Sequence, residues 1–260
     1  MSDKPLVLTE ERGHVFVVTI NRIESRNAVD GATASNLLEA FKTFEARDDL
    51  KVAVLTGAGG TFCAGADLKA IGTPQANRIE TTGTADGPMG PTRLQLDKPV
   101  IAAVSGHAVA GGLELACWCD LRVADATAVF GVFCRRWGVP LVDGGTVRLP
   151  RLVGHSRAMD MILTGRPVEA REAFEIGLAN RLVTDTDALT AALRLADEIA
   201  GFPERCMCAD RRSAIAQWSL DVDEALIQEG AGGYDVATTE AVTGAARFSS
   251  GAGRHGSFDD

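Results

Sequence analysis

Glu114 is the one acid inside AVAGGLELACWC, residues 108–119, a run otherwise made of small and apolar side chains. Burial among such neighbours raises a carboxyl pKa towards neutrality, which suits a general acid or base. Glu114 follows Gly111 by three residues, one helical turn, so in a helix opening at Gly111–Gly112 its carboxylate can face the same cavity as the Gly111 amide. A second run, CAGAD at 63–67, surrounds Ala66 with small side chains and leaves its N–H accessible at the start of a short helix. Two helix N-termini aimed at one oxygen are what stabilises a developing oxyanion. By spacing alone, both glycine sites read equally well as ordinary tight turns, and Glu114 also reads as a helix cap or an arginine's partner.

Other chemistries are poorly served. GAGGTF at 57–62 puts Phe62 where a dinucleotide fingerprint needs its third glycine, and it lacks the Lys-Ser/Thr of a phosphate loop. No Gly-x-Ser-x-Gly elbow is present, and His14, His107, His155 and His255 show no metal spacing, so no metal site is expected. Cys63, Cys117, Cys119, Cys134, Cys206 and Cys208 read as buried free thiols, without Cys-x-x-Cys pairs. Asp143, in VPLVDGGT, reads equally as a second proton-transfer group or as a cap over the Gly144–Gly145 turn.

The elements that must carry these residues alternate between strand and helix, which predicts an α/β core. Strands are expected over 14–20, 52–55, 99–104, 121–124 and 128–131, and helices over 31–47 and 111–117. Residues 72–91, rich in Gly, Thr and Pro, predict a mobile loop near a site. From 155 onward helical periodicity dominates, and a composition shift near 184–187 divides a core at 1–186 from a helical segment at 187–260. With 260 residues, 46% apolar, the chain can bury a large core, and its net charge of -9 argues against nucleic acid as a partner. The apolar stretch 100–119 is broken by Ser105, His107, three glycines and Glu114, so a buried strand and helix are expected rather than a membrane span, and the expected location is cytoplasmic.

Five ordered motifs together resemble the crotonase family, the enoyl-CoA hydratase/isomerase superfamily: INRIESRNAV at 20–29, TFCAGADLK at 61–69, AAVSGHAVAGGLELACWCDLRVAD at 102–125, DGGTVRLPRLVG at 143–154 and LTGRPVEAREAFEIGLANRLV at 163–183. The resemblance covers residues 14 to about 183. It implies a spiral of ββα repeats with a C-terminal helical segment that packs on neighbours in a homotrimer or a dimer of trimers. It implies an acyl-CoA substrate, with the coenzyme A thioester needing no added cofactor. The thioester oxygen would sit between the amides of Ala66 and Gly111, each donor worth about 2.7–4 kcal/mol once an enolate forms. CoA contacts would map onto Arg26, Ala28, Val29, Ala64, Ala66, Asp67, Leu68 and Lys69, and the acyl group onto a pocket that includes Phe133, Cys134 and Pro140 beside Gly111.

In hydratases of this family, the glutamate at the position of Glu114 handles water or substrate protons. A second glutamate follows twenty positions later; here FGVFC at 130–134 puts Cys134 there, and a neutral thiol cannot replace a carboxylate in delivering water. Hydration of a 2-enoyl-CoA is the default expectation. The alternatives are double-bond isomerisation or acyl-CoA hydrolysis or cleavage using Glu114 with Asp143, or an acyl-CoA-binding protein without chemistry.

Overall fold

The computed structural model describes residues 4–81 and 86–253; His255 and residues 82–85 of the expected loop lie outside them. The chain forms two compact units, the first running to Ile199 and the second beginning at Ala200.

The first unit is built on two sheets. Strands β1 (Val7–Arg12), β2 (Val15–Ile20) and β3 (Val52–Gly57) open the larger sheet. Helix α1 (Gly31–Glu45) connects the last two, capped by Asp30, whose side chain accepts from Thr33 N. β1 pairs antiparallel with β2, and β2 pairs parallel with β3. β1 exposes all but its first residue, and its charges suit an edge strand, whereas β3 is buried throughout except at Gly57, as a parallel strand covered on both faces must be. α1 buries Leu37, Leu38, Phe41 and Phe44. At its C-terminal end the Lys98 ammonium donates to the carbonyls of Phe44, Glu45 and Arg47.

The next stretch leaves this sheet and returns to it. β4 (Val100–Val104) pairs with β3, β5 (His107–Val109) begins a second sheet, and α2 (Gly111–Trp118) follows directly. β6 (Leu121–Asp125) rejoins β4, and β7 (Val129–Gly131) lies beside β5. Helices α3 (Gly145–Val153) and α4 (His155–Thr164) precede β8 (Val168–Glu169), α5 (Ala170–Glu175) and β9 (Arg181–Val183). The sheet orders are β1-β2-β3-β4-β6-β9 and β5-β7-β8 among the described residues. From β4 to β7 the strands alternate between the two sheets, β4 and β5 before α2 and β6 and β7 before α3, the ββα spiral that the resemblance implies. Arg122, 1% exposed, ties the end of α2 to the approach to β9, donating to the carbonyls of Ala116, Cys119, Asp120 and Leu178 and to Asn180 Oδ1.

Helix α6 (Ala188–Ala200) ends where the first unit does. The second unit consists of α7 (Glu204–Ala216), α8 (Val222–Thr238) and α9 (Glu240–Ser250). These are joined by an Arg205–Asp235 ion pair and by Cys206 N donating to Glu240 Oε2 at 2.7 Å. Trp218, Val222, Leu226, Ile227, Tyr234, Val242 and Phe248 stand exposed on it.

The stretch 72–91 departs from expectation. Its second part is packed: Gly87 and Gly90 bond reciprocally across a tight turn, Asn77 Nδ2 donates to Pro88 O, and Met89 is 1% exposed. Long-range hydrogen bonds, which a Gly/Pro-rich composition does not reveal, hold it down.

Candidate active site

The segment 61–67 lies between two neighbours. On one side Cys63 N donates to His107 O and Val109 N to Cys63 O, stitching it to β5. On the other, Ala64 N donates to Arg26 O, Val29 N to Gly65 O and Asp67 N to Val29 O. Arg22 locks the second seam: its guanidinium reaches Asp67 at 3.0 Å, Asp30 at 3.2 Å and the carbonyl of Ala28. Because β5 runs straight into α2, the stitch to β5 delivers Ala66 to the start of that helix.

Two glycines make the approach close. A Cβ on Gly112 would collide with Cys63 O, and one on Gly65 would stand 2.8 Å from Ala110 Cβ and 3.0 Å from Gly111 N. Gly65 also has φ +98°, where L side chains are strained. The Gly111 amide, in the first turn of α2, has no acceptor within its helix, and among the described residues neither it nor the Ala66 amide is hydrogen-bonded. Ala110 N donates to Gly131 O, and Ala110 itself is held at φ 55°, ψ -125°, a conformation that costs a non-glycine residue about 1–3 kcal/mol. The structure therefore brings the Ala66 and Gly111 regions together, but the helix expected to open at Ala66 is a turn, so only Gly111 stands at a helix N-terminus.

Glu114 is 2% exposed, one turn into α2. It caps nothing in its own helix. Its Oε1 accepts from Asp143 N and Gly145 N, both at 2.8 Å, and among the described residues no cation forms an ion pair with it. A Cβ on Gly145 would stand 2.9 Å from both Glu114 Cγ and Oε1, so only glycine lets this backbone close on the carboxyl. Burial pushes the Glu114 pKa up to about 7; the two amides pull against it, and the charge of Asp143 reinforces it.

Asp143 is 3% exposed and its carboxyl is raised above its ordinary value, chiefly by burial. Its Oδ1 accepts from Met89 N at 2.8 Å and from the Thr92 hydroxyl. The N-cap of α3 is Gly144, without a side-chain bond, so the capping alternative for Asp143 is not what the structure adopts. Arg148 donates to Asp143 O at 3.0 Å and to Thr92 O at 2.8 Å.

Cys134 is 6% exposed, and its thiol pKa is raised first by burial and then by the charge of Glu114. Arg135 and Arg136 are committed elsewhere: one donates to Ile162 O, the other stacks over Phe133 and donates to Gly165 O. The Arg135 charge pulls the thiol pKa down but is outweighed by burial and Glu114, so the thiol stays neutral and is not activated as a nucleophile. Of the remaining sequence-derived residues, Ala28 and Val29 are buried in the seam with 64–67, and Arg26, Leu68 and Lys69 are exposed beside it. Phe133 is directed at Gly131, His107 and Arg136, and Pro140 is exposed between Cys134 and Asp143. Sequence reasoning did not single out Arg22, Met89, Thr92, Gly145 or Arg148; of these, Arg22, Gly145 and Arg148 stood inside a recognised motif.

Comparison with known proteins agrees with this geometry. The family model Enoyl-CoA hydratase/isomerase matches residues 10–231. Enoyl-CoA hydratase EchA19 of Mycobacterium tuberculosis is 41% identical over 203 residues, 75% of each chain. Short-chain-enoyl-CoA hydratase of Clostridium acetobutylicum is 36% identical over 228 residues, 86% of each chain. The crystal structure of enoyl-CoA hydratase EchA1 from Mycobacterium marinum superposes with a TM-score of 0.88 at 35% identity, covering 95% of this chain and 96% of that one. With its spiral fold, its glycine-lined helix start and its buried glutamate, the chain belongs to the enoyl-CoA hydratase/isomerase family.

Proposed function

We propose that the protein acts on an enoyl-CoA thioester, with the amides of Ala66 and Gly111 receiving the thioester oxygen and Glu114 moving the proton. The observation that carries this reading is the juxtaposition of a buried carboxyl of pKa about 7 with the unbonded Gly111 amide one turn away. The similar proteins named above are enoyl-CoA hydratases, which supports hydration as the default reaction.

Oε1 of Glu114 is held by two amides, which leaves Oε2 for protons. In hydration, Oε2 accepts a proton from water as the water oxygen bonds to the β-carbon. Electrons move onto the thioester oxygen, where the two amides stabilise the enolate. Return of the proton to the α-carbon re-forms the thioester and frees Glu114 as it began. Atoms balance with water as co-substrate and no further cofactor. The CoA portion would run along the seam of 26–29 with 64–69, where Arg26 and Lys69 are exposed.

Cys134 favours a second reading. With one carboxyl, removal of a γ-proton and its delivery to the α-carbon shifts the double bond through the same enolate, and no activated water is needed. The exposed apolar side chains of α8 and α9 support the further proposal of a homotrimer or dimer of trimers, which sedimentation would check.

The test is a panel of enoyl-CoA thioesters given to wild type, Glu114→Gln and Cys134→Glu, following loss of the conjugated thioester absorbance and migration of the double bond. Wild type should turn over at least one member, and Glu114→Gln should lose about 10²–10⁴-fold in kcat. Cys134→Glu should raise hydration relative to migration. Unchanged turnover in Glu114→Gln removes Glu114 from the mechanism.

A further inference from the structure

Asp143 stands at a junction. Its backbone N–H donates to Glu114 Oε1, while its carboxylate accepts from Met89 N and the Thr92 hydroxyl. Met89 and Thr92 are each 1% exposed, so these bonds are made away from water. The Met89 side chain lies on Gly111: a Cβ there would stand 2.8 Å from its sulfur and 3.0 Å from its methyl. Arg148 adds a second link between the same segments, through the carbonyls of Asp143 and Thr92. One residue is thereby connected to both halves of the site, to the carboxyl through its amide and to the oxyanion amide through Met89.

We infer that Asp143 is a positioning residue: its carboxylate clamps the 87–92 turn over Gly111 while its amide fixes Glu114, so that the proton-moving group and the oxyanion donor are set in register by a single side chain. The inference rests on the reaction proposed above and adds a role that the sequence assigned differently. The groups facing this carboxylate agree with holding. Two neutral donors satisfy Oδ1, and the cations of Arg93 and Arg148 offset its charge. Oδ2 carries no hydrogen bond among the described residues, so the experiment must separate holding from proton transfer.

Four variants do so. Asp143→Asn keeps an oxygen to accept both bonds but has no acidic proton. Asp143→Ala removes the acceptor. Thr92→Val removes the hydroxyl from a residue that titrates nothing, and Thr92→Ser restores it. The first readout, amide hydrogen exchange, is independent of turnover: Asp143→Ala and Thr92→Val should speed exchange at Met89 about tenfold or more, and the two conservative variants much less. The second is steady-state kinetics on whichever thioester wild type accepts. Asp143→Ala and Thr92→Val should lower kcat about 10²-fold with little change in KM, as a misplaced constellation does. Asp143→Asn should lose about tenfold and keep the pH limb of Glu114, moved to lower pH by removal of a neighbouring negative charge. An Asp143→Asn loss of about 10³-fold with that limb erased would make Asp143 a proton-transfer group and overturn the inference. So would unchanged Met89 exchange in Asp143→Ala. If wild type turns over no thioester, the proposed reaction fails, and the exchange data alone still decide the clamp.

Discussion

Replacing Glu114 by Gln should stabilise the protein above neutral pH and leave its stability unchanged in mild acid. In the unfolded chain this carboxyl titrates at its ordinary 4.5; in the folded chain burial raises it to about 7. Between those values the folded state binds the extra proton, so stability falls as pH rises through the interval. At about 1.36 kcal/mol per pH unit, the penalty reaches about 3 kcal/mol once both forms are ionised, near pH 8. The substituted amide would be neutral at every pH and would still offer an oxygen to the backbone N–H groups of Asp143 and Gly145. The variant minus wild-type difference should therefore grow from near zero at pH 4.5 to about 3 kcal/mol at pH 8, about 2–4 °C in Tm for each kcal/mol. Unfolding both proteins in urea and by heat across this range measures it. Asp143 titrates in both proteins and largely cancels. A difference that is flat with pH, or a wild type that is the more stable at pH 8, would refute the claim that Glu114 is held at elevated pKa by its surroundings.

Gly65→Ala should reach the chemistry without touching Glu114. The new Cβ, at φ +98° and 3.0 Å from Gly111 N, pushes the two oxyanion segments apart, and kcat should fall about 10²-fold or more in steady-state kinetics while circular dichroism shows an intact fold. Arg122→Met should act on stability alone. It leaves the carbonyls of Leu178, Ala116 and Cys119 buried without their donor, and urea unfolding should show a loss of at least about 3 kcal/mol.

What the sequence disclosed and what it hid divide along a physical line. The apolar runs of β3, β4 and β6 and the capped amphipathic α1 follow from local pattern, because a strand or helix face buried against its neighbours writes that burial into consecutive residues. β1, charged and antiparallel at the edge, carries no such pattern, and β8 and β9 are too short to show one amid helical periodicity. Within the candidate site, Glu114 stood out as an acid out of place, whereas Ala66 and Gly111, whose glycine neighbours read equally as tight turns, were assigned through the family resemblance. The Met89–Thr92–Asp143 clamp was not, since its bonds join residues more than fifty positions apart through a backbone amide and a hydroxyl.

Cys134 and the pKa of Glu114 are two aspects of one arrangement. A single carboxyl that must take a proton from one atom and return it to another does both fastest when its pKa lies near the working pH, because a stronger base is a poorer acid by the same amount. Burial of Glu114 among the side chains of α2, set against two amide donors, already brings it to about 7. A carboxylate at position 134 would add a like charge where the thiol now adds none, and the two groups would then share one proton, the pKa of one driven well above neutrality. On the proposed mechanism, a neutral residue at 134 would let one buried glutamate serve as base first and acid second, and the pocket would favour proton return over holding an activated water between two acids.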